Sequence, residues 1–205
     1  MTGTQGWWGS LSRRQRTIIT LAAISALLLV SFIIDHQATT PGGSTTGSHT
    51  SVTTGAPHFG VRTRTSGCIV AQGLEDTRCT PGALLNVTAK QICVPGYASS
   101  ARNVSQSEKN QVFAEYGITR HAAGQYEVDH LVSLELGGSN DIANLWPEAA
   151  SPTPGFHEKD RVEGYLHTQV CSGAISLQTA QNEIATNWIA VYQQMPTGSV
   201  GAGRM

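Results

Sequence analysis

The stretch from Thr17 to Ile34 runs for 18 residues without a charged side chain, and it divides the chain in two. As a helix it would reach about 27 Å, close to the hydrocarbon thickness of a bilayer. A helix laid on a water-soluble core would show a polar face every third or fourth position, whereas this run has only Thr20, Ser25 and Ser31 inside it. Arg13, Arg14 and Arg16 precede the run, and the next arginine or lysine is Arg62. The bias of basic residues towards the cytoplasmic side predicts an internal N-terminus and an exported remainder. Asp35-His36-Gln37 lacks the small-x-small pattern of a cleavage site, so the expectation is a permanent single-pass anchor in the cell membrane.

The chain therefore divides into a cytoplasmic tip at 1–16, an anchor at 17–34, a linker at 35–57, a folded domain at 58–195 and a disordered tail at 196–205. The linker is rich in Thr, Ser and Gly and cannot bury enough apolar surface to offset its ordering entropy. All four cysteines lie between positions 68 and 171. In an oxidising compartment they should pair, and four cysteines allow three pairings. The favoured one joins Cys68 to Cys79 across a short loop and Cys93 to Cys171, with the others open. The absence of a Cys-x-x-Cys knuckle weighs against a zinc site built from these thiols.

Within the folded part, residues 60–104 hold turn signals and short apolar runs, predicting loops and one or two short strands. Ser105 and Glu108 have capping-box spacing, followed by Val112, Phe113 and Tyr116 at helical spacing and a stop at Gly117, predicting a helix over 106–116. Phe156, Val162, Leu166 and Val170 predict another helix. Leu177, Ala180, Ile184, Trp188, Ile189 and Tyr192 predict a last one, capped by Ser176. Trp146, Trp188 and Tyr165 are expected in the core.

Between these helices lies the most informative segment, Tyr126–Glu148. Asp129-His130 opens an alternating run in which Val132, Leu134 and Leu136 face one way and Leu131, Ser133 and Glu135 the other, as in a half-buried strand. Gly137-Gly138-Ser139-Asn140-Asp141 is turn chemistry, and Ile142–Trp146 is a second short apolar run carrying Asn144. A β-hairpin followed by a helix is the expectation.

Asp129-His130, Gly137-Gly138, Asn144-Leu145 and His157, in that order, resemble the HNH (ββα-metal) nuclease motif over residues 126–170. A wider similarity to bacterial HNH-like domains takes in Cys79-Thr-Pro-Gly, Ile92-Cys93-Val-Pro-Gly-Tyr97, Asn144-Leu-Trp-Pro147, Lys159-Asp160 and Val170-Cys171-Ser-Gly173. The fold this implies is α+β: a small ββα-metal hairpin-helix core with additional helices and disulfide-tied N-terminal loops. The activity it implies is metal-dependent endonuclease action on DNA or RNA.

On that resemblance His130 is the general base, suited by an ordinary pKa near neutrality. Asn144 orients its imidazole from the second arm, with Asn140 a less favoured substitute. Asp129 is a hard oxygen ligand for Mg²⁺, with Mn²⁺ or Zn²⁺ as alternatives. His157 is the second metal ligand, with Asp160 or Glu163 able to stand in its place. Each residue also has an ordinary reading. His130 would be a surface histidine at a strand start, Asp129 a turn acid, Asn144 a backbone cap and His157 a helix-start histidine.

Charge qualifies the resemblance. Of 13 basic and 14 acidic residues, setting aside Arg13, Arg14, Arg16 and Asp35 leaves 10 and 13, a formal charge of −3. A domain that grips duplex DNA usually carries a basic stripe, and none is present. The implied partners are nucleic acid as substrate and the membrane; no residue identifies an inhibitor protein. The competing functions are a binding module that keeps the shape without catalysis and a hydrolase of another envelope polymer.

Overall fold

A computed structural model describes residues 57–196 and residue 198; the expected anchor and most of the linker and tail lie outside the described residues. Among the described residues no helix is long and apolar enough to cross a membrane. The elements, in order, are α1 (Ala89–Ile92), α2 (Tyr97–Ala101), α3 (Gln106–Glu115), β1 (Tyr126–His130), β2 (Leu145–Ala149), α4 (Phe156–Cys171) and α5 (Leu177–Gln194). The architecture is α+β, a two-stranded antiparallel sheet with helices packed around it.

The three longer helices form where capping and apolar spacing place them. Ser105 Oγ accepts from the Glu108 amide at 3.2 Å while Glu108 returns the contact to the Ser105 amide at 2.8 Å, closing a capping box on α3. The Thr179 amide donates to Ser176 Oγ at 3.0 Å, capping α5. Inside α5 the backbone leaves helical geometry at Asn187, whose side-chain oxygen accepts from the Ala190 amide at 2.9 Å. The helix thus restarts from a local cap. Trp146 and Trp188, both fully buried, join Ile92, Leu131, Leu136, Val162, Leu166 and Ile184 in one core, while Tyr165 packs against it half-buried.

Two expectations need correction. Residues 60–104 contain the short helices α1 and α2 rather than named strands, with strand-like pairing limited to the isolated bridges Ala71–Leu74 and Leu84–Gly138. The hairpin is also shorter and shifted. Its ladder pairs Tyr126 with Ala149 through His130 with Leu145, so the first arm ends where the alternating run begins. The cause is Asn144. Its side-chain oxygen accepts from the Val132 amide at 2.9 Å, and its amide nitrogen donates to Val132 and Ser139 carbonyls at 2.9 and 2.8 Å. With both backbone groups of Val132 engaged, the chain turns instead of extending, and Leu134–Leu136 form a 3-10 turn capped by Ser133. Leu131, Val132, Ser133, Leu134 and Leu136 are all buried, so the alternation does not sort two faces. Ile142–Asn144 is likewise a 3-10 turn, and the second arm starts only at Leu145. Gly138 is required here, since a Cβ would lie 1.8 Å from the Val132 carbonyl oxygen.

Two disulfides tie the N-terminal loops down. Cys68–Cys79 closes an 11-residue separation, and Cys93–Cys171 joins the end of α1 to the last residue of α4 across 78 residues.

Candidate active site

Successive side chains of a strand point to opposite faces, so Asp129 and His130 diverge. Asp129 pairs across the ladder with Trp146 and shares its face with Glu127 and Glu148, whereas His130 pairs with Leu145 on the other face. The acid-histidine pair therefore serves two separate environments.

Beneath the first face Lys159 rises from α4, fully buried. Its ammonium donates to Asp129 Oδ2 at 2.7 Å, Glu163 Oε1 at 2.6 Å and the His130 carbonyl oxygen at 2.7 Å, which uses all three of its protons. Burial alone would strip its charge, but Asp129, Glu163 and Glu148 overcome that and hold its pKa above the ordinary lysine value. For Asp129, burial works to raise the pKa, and the Lys159 charge and hydrogen bond prevail and keep it below the usual carboxylate range.

The surrounding acids outnumber this one lysine. Glu148 is buried on the face it shares with Asp129. Burial, opposed by the Lys159 attraction and helped by repulsion from Asp129 and a hydrogen bond with it, pushes its pKa up to about 10, so it keeps its proton at physiological pH. Burial also lifts Glu163 and Glu75 to about 7 each, offset in part by Lys159 for Glu163 and by a backbone hydrogen bond and then Lys159 for Glu75.

On the other face the His130 ring is 2% exposed and its Nε2 lies 3.1 Å from Asn140 Oδ1. The Asn140 amide is oriented independently of the ring. Its Nδ2 donates to the Ala101 carbonyl at 2.8 Å and its Oδ1 accepts from the Asn103 amide at 3.2 Å. Because an amide oxygen only accepts, Nε2 must carry the proton, which leaves the lone pair of the neutral ring on Nδ1. Burial lowers the His130 pKa, Asp129 and Asn140 oppose this, and the nearby Arg102 charge lowers it further. The net direction is downward, so the ring is neutral at physiological pH, with a free lone pair on Nδ1.

The expected residues thus assemble only in part. Asn140 from the turn, rather than Asn144, holds the imidazole. Asn144 is fully buried and clasps backbone at Val132, Ser139 and Ala83, the ordinary role weighed for it. His157 lies exposed in the first turn of α4, its ring 4.3 Å from that of Phe156. Asp160 is half-buried further along that turn, and Glu163 is committed to Lys159.

A divalent cation of the kind the HNH resemblance implies does not fit these residues. Asp129 Oδ2 already binds the Lys159 ammonium, and among the described residues no group of three close ligand atoms includes Asp129 or His157. Among the described residues a different group could hold a metal ion. It is Cys93, His167 and Cys171, whose ligand atoms lie within 4.8 Å of one another, although the two sulfurs are joined in a disulfide.

Comparisons with protein-family models, with curated proteins and with solved structures find no match for this chain. Glu148, Glu75 and Arg102 gain a role only from the geometry, whereas Lys159 already belongs to the Lys159-Asp160 pair of the wider similarity. Lys159 had a signal: it sits between Phe156 and Val162 at helical spacing, a charge on the buried stripe of α4, with Glu163 four residues on. Glu75 and Arg102 lie in segments without periodicity and have no such mark.

Proposed function

We propose that the chain is a membrane-anchored, outward-facing hydrolase of the HNH-like kind that cleaves phosphodiester bonds in DNA or RNA, with His130 as general base. The observation that carries this reading is the Asn140-held, neutral imidazole at the end of β1. Nδ1 takes the proton of an attacking water, and Asn140 keeps the ring in the tautomer that leaves this nitrogen free. Arg102, exposed and near enough for its charge to act on the ring, supplies a cation for the phosphate and for charge developing on it. Lys159 acts as a positioning residue, since it binds the carbonyl of His130 itself and ties α4 to the strand end that carries the base.

The test uses the full-length chain in mild detergent on supercoiled plasmid and on RNA, with added Mg²⁺ and with a chelator. Nicking that falls at least 100-fold in His130→Ala and at least 10-fold in Asn140→Ala, with the circular-dichroism spectrum kept, supports the assignment. Equal activity of His130→Ala and the parent rejects it. A non-catalytic binding module is the second reading, favoured by the near-complete burial of His130 and the formal charge of −3 on residues outside the tip and linker. A folded protein that retains labelled oligonucleotide without cleaving it under either condition would support that reading.

A further inference from the structure

The Cys93–Cys171 bridge and His167 bring three potential metal-ligand atoms within 4.8 Å of one another. His167 and Cys171 are four residues apart on α4, so their side chains share one face, and His167 Nε2 lies 3.4 Å from Cys171 Sγ. Cys93 reaches the same point from the end of α1. A tetrahedral zinc ion with ordinary Zn–S and Zn–N bonds sets its sulfur and nitrogen ligands about 3.5 Å apart and two sulfurs about 3.8 Å apart. The His167–Cys171 edge already has the first spacing. The second requires the two sulfurs to separate from bonding distance by less than about 2 Å. A side-chain rotation at Cys171, which is exposed while Cys93 and His167 are half-buried, supplies that movement. The position is also the C-terminal turn of a helix, where backbone carbonyls favour a cation.

We propose that Cys93, His167 and Cys171 form a redox-gated zinc site: oxidised, the two cysteines are a disulfide; reduced, they and His167 bind one zinc ion, with a water completing the tetrahedron. The electron balance is simple. A reductant of the dithiol class delivers two electrons and two protons, is itself oxidised to a disulfide, and leaves two thiols. Zinc then displaces both thiol protons. In the disulfide form Nε2 is 3.1 Å from the Ile92 carbonyl, so Nε2 carries a proton and donates there; metal binding leaves the ring's proton on Nδ1 and frees Nε2 as the ligand. Either occupant ties α1 to α4, so the tie survives a change of redox environment with a different chemistry holding it.

The experiment takes the full-length chain carrying Cys68→Ala and Cys79→Ala, which removes the other pair, in mild detergent. It is treated with a water-soluble phosphine, which reduces the bridge by taking oxygen from water, and then titrated with zinc against a colorimetric chelator. The expected result is one zinc per reduced chain and none per oxidised chain, with affinity at least tenfold weaker in reduced His167→Ala. Cobalt substituted for zinc should give the visible absorption of tetrahedral thiolate coordination. Equal zinc binding by oxidised and reduced chains, no binding by a reduced chain that keeps its helical circular dichroism, equal binding by His167→Ala, or loss of the fold on reduction without recovery on adding zinc would each overturn the proposal.

Discussion

Replacing Lys159 with methionine removes the one ammonium among Asp129, Glu163 and Glu148 while keeping a side chain of similar length. The lysine is fully buried and gives hydrogen bonds to two carboxylates and one carbonyl. Removing one partner of a buried ion pair costs about 3–5 kcal/mol, because the remaining charge is left uncompensated. Against a typical total of about 5–15 kcal/mol that is a large fraction, and for a chain of this size it corresponds to a drop of roughly 6–20 °C in Tm. The cost depends on pH with a definite sign. Without the lysine, Asp129 passes from a depressed to a raised pKa, joining Glu163. Groups with raised folded pKa values contribute their stability below the unfolded value and lose it as pH rises through the folded one. The variant should therefore be most impaired at pH 8 and approach the parent near pH 4–5, where the acids take up protons. Urea unfolding followed by circular dichroism at pH 5 and pH 8 measures this, and adding Asp129→Asn should restore part of the loss at pH 8. A difference below about 1 kcal/mol at pH 8, or one that grows as pH falls, would mean that Lys159 does not hold the acidic cluster together.

Three further outcomes are expected. Glu75→Gln copies the neutral acid that burial favours. Because the Glu75 pKa is raised from 4.5 to about 7, the parent loses stability as pH climbs through that window, so the variant should match it below pH 4.5 and gain up to ~3 kcal/mol above pH 7, read by thermal melts at pH 4 and 8. Cys93→Ser with Cys171→Ser releases a loop closed over 78 residues and should lower unfolding free energy by about 2–5 kcal/mol in denaturant titrations under oxidising conditions. Asn144→Ala strips buried hydrogen bonds from the Val132, Ser139 and Ala83 backbone and should cost about 2–4 kcal/mol. Asn140→Ala, at the half-buried turn, should cost about 1 kcal/mol, so parallel melts separate the two asparagines.

Local rules sufficed wherever one side chain and its near neighbours decide the outcome. The capping box of α3, the Ser176 cap of α5 and the apolar stripes of all three longer helices could be read directly from residue spacing, because a helix is built from contacts three and four residues apart. The preferred cysteine pairing also matches the two bridges present. The hairpin was legible as a hairpin but not in its register, because the end of β1 is set by Asn144 reaching 12 residues back to Val132. Alternation in 131–136 describes an isolated strand, and the clasp overrides it.

The site divides along the same line. Asp129 and His130 are adjacent in the chain, and the pleat sends them to opposite faces, so adjacency says nothing of a shared ligand. Which asparagine holds the ring depends on where Ala101 and Asn103 come to lie beside the turn. What occupies the acidic cluster depends on a lysine 30 residues past Asp129. These contacts join groups far apart along the backbone, and their strength comes from burial that exists only once the chain has closed around them. Residue order could supply the chemical groups and the helices that carry them, but the protonation and pairing of those groups depend on the low-dielectric interior that tertiary packing creates.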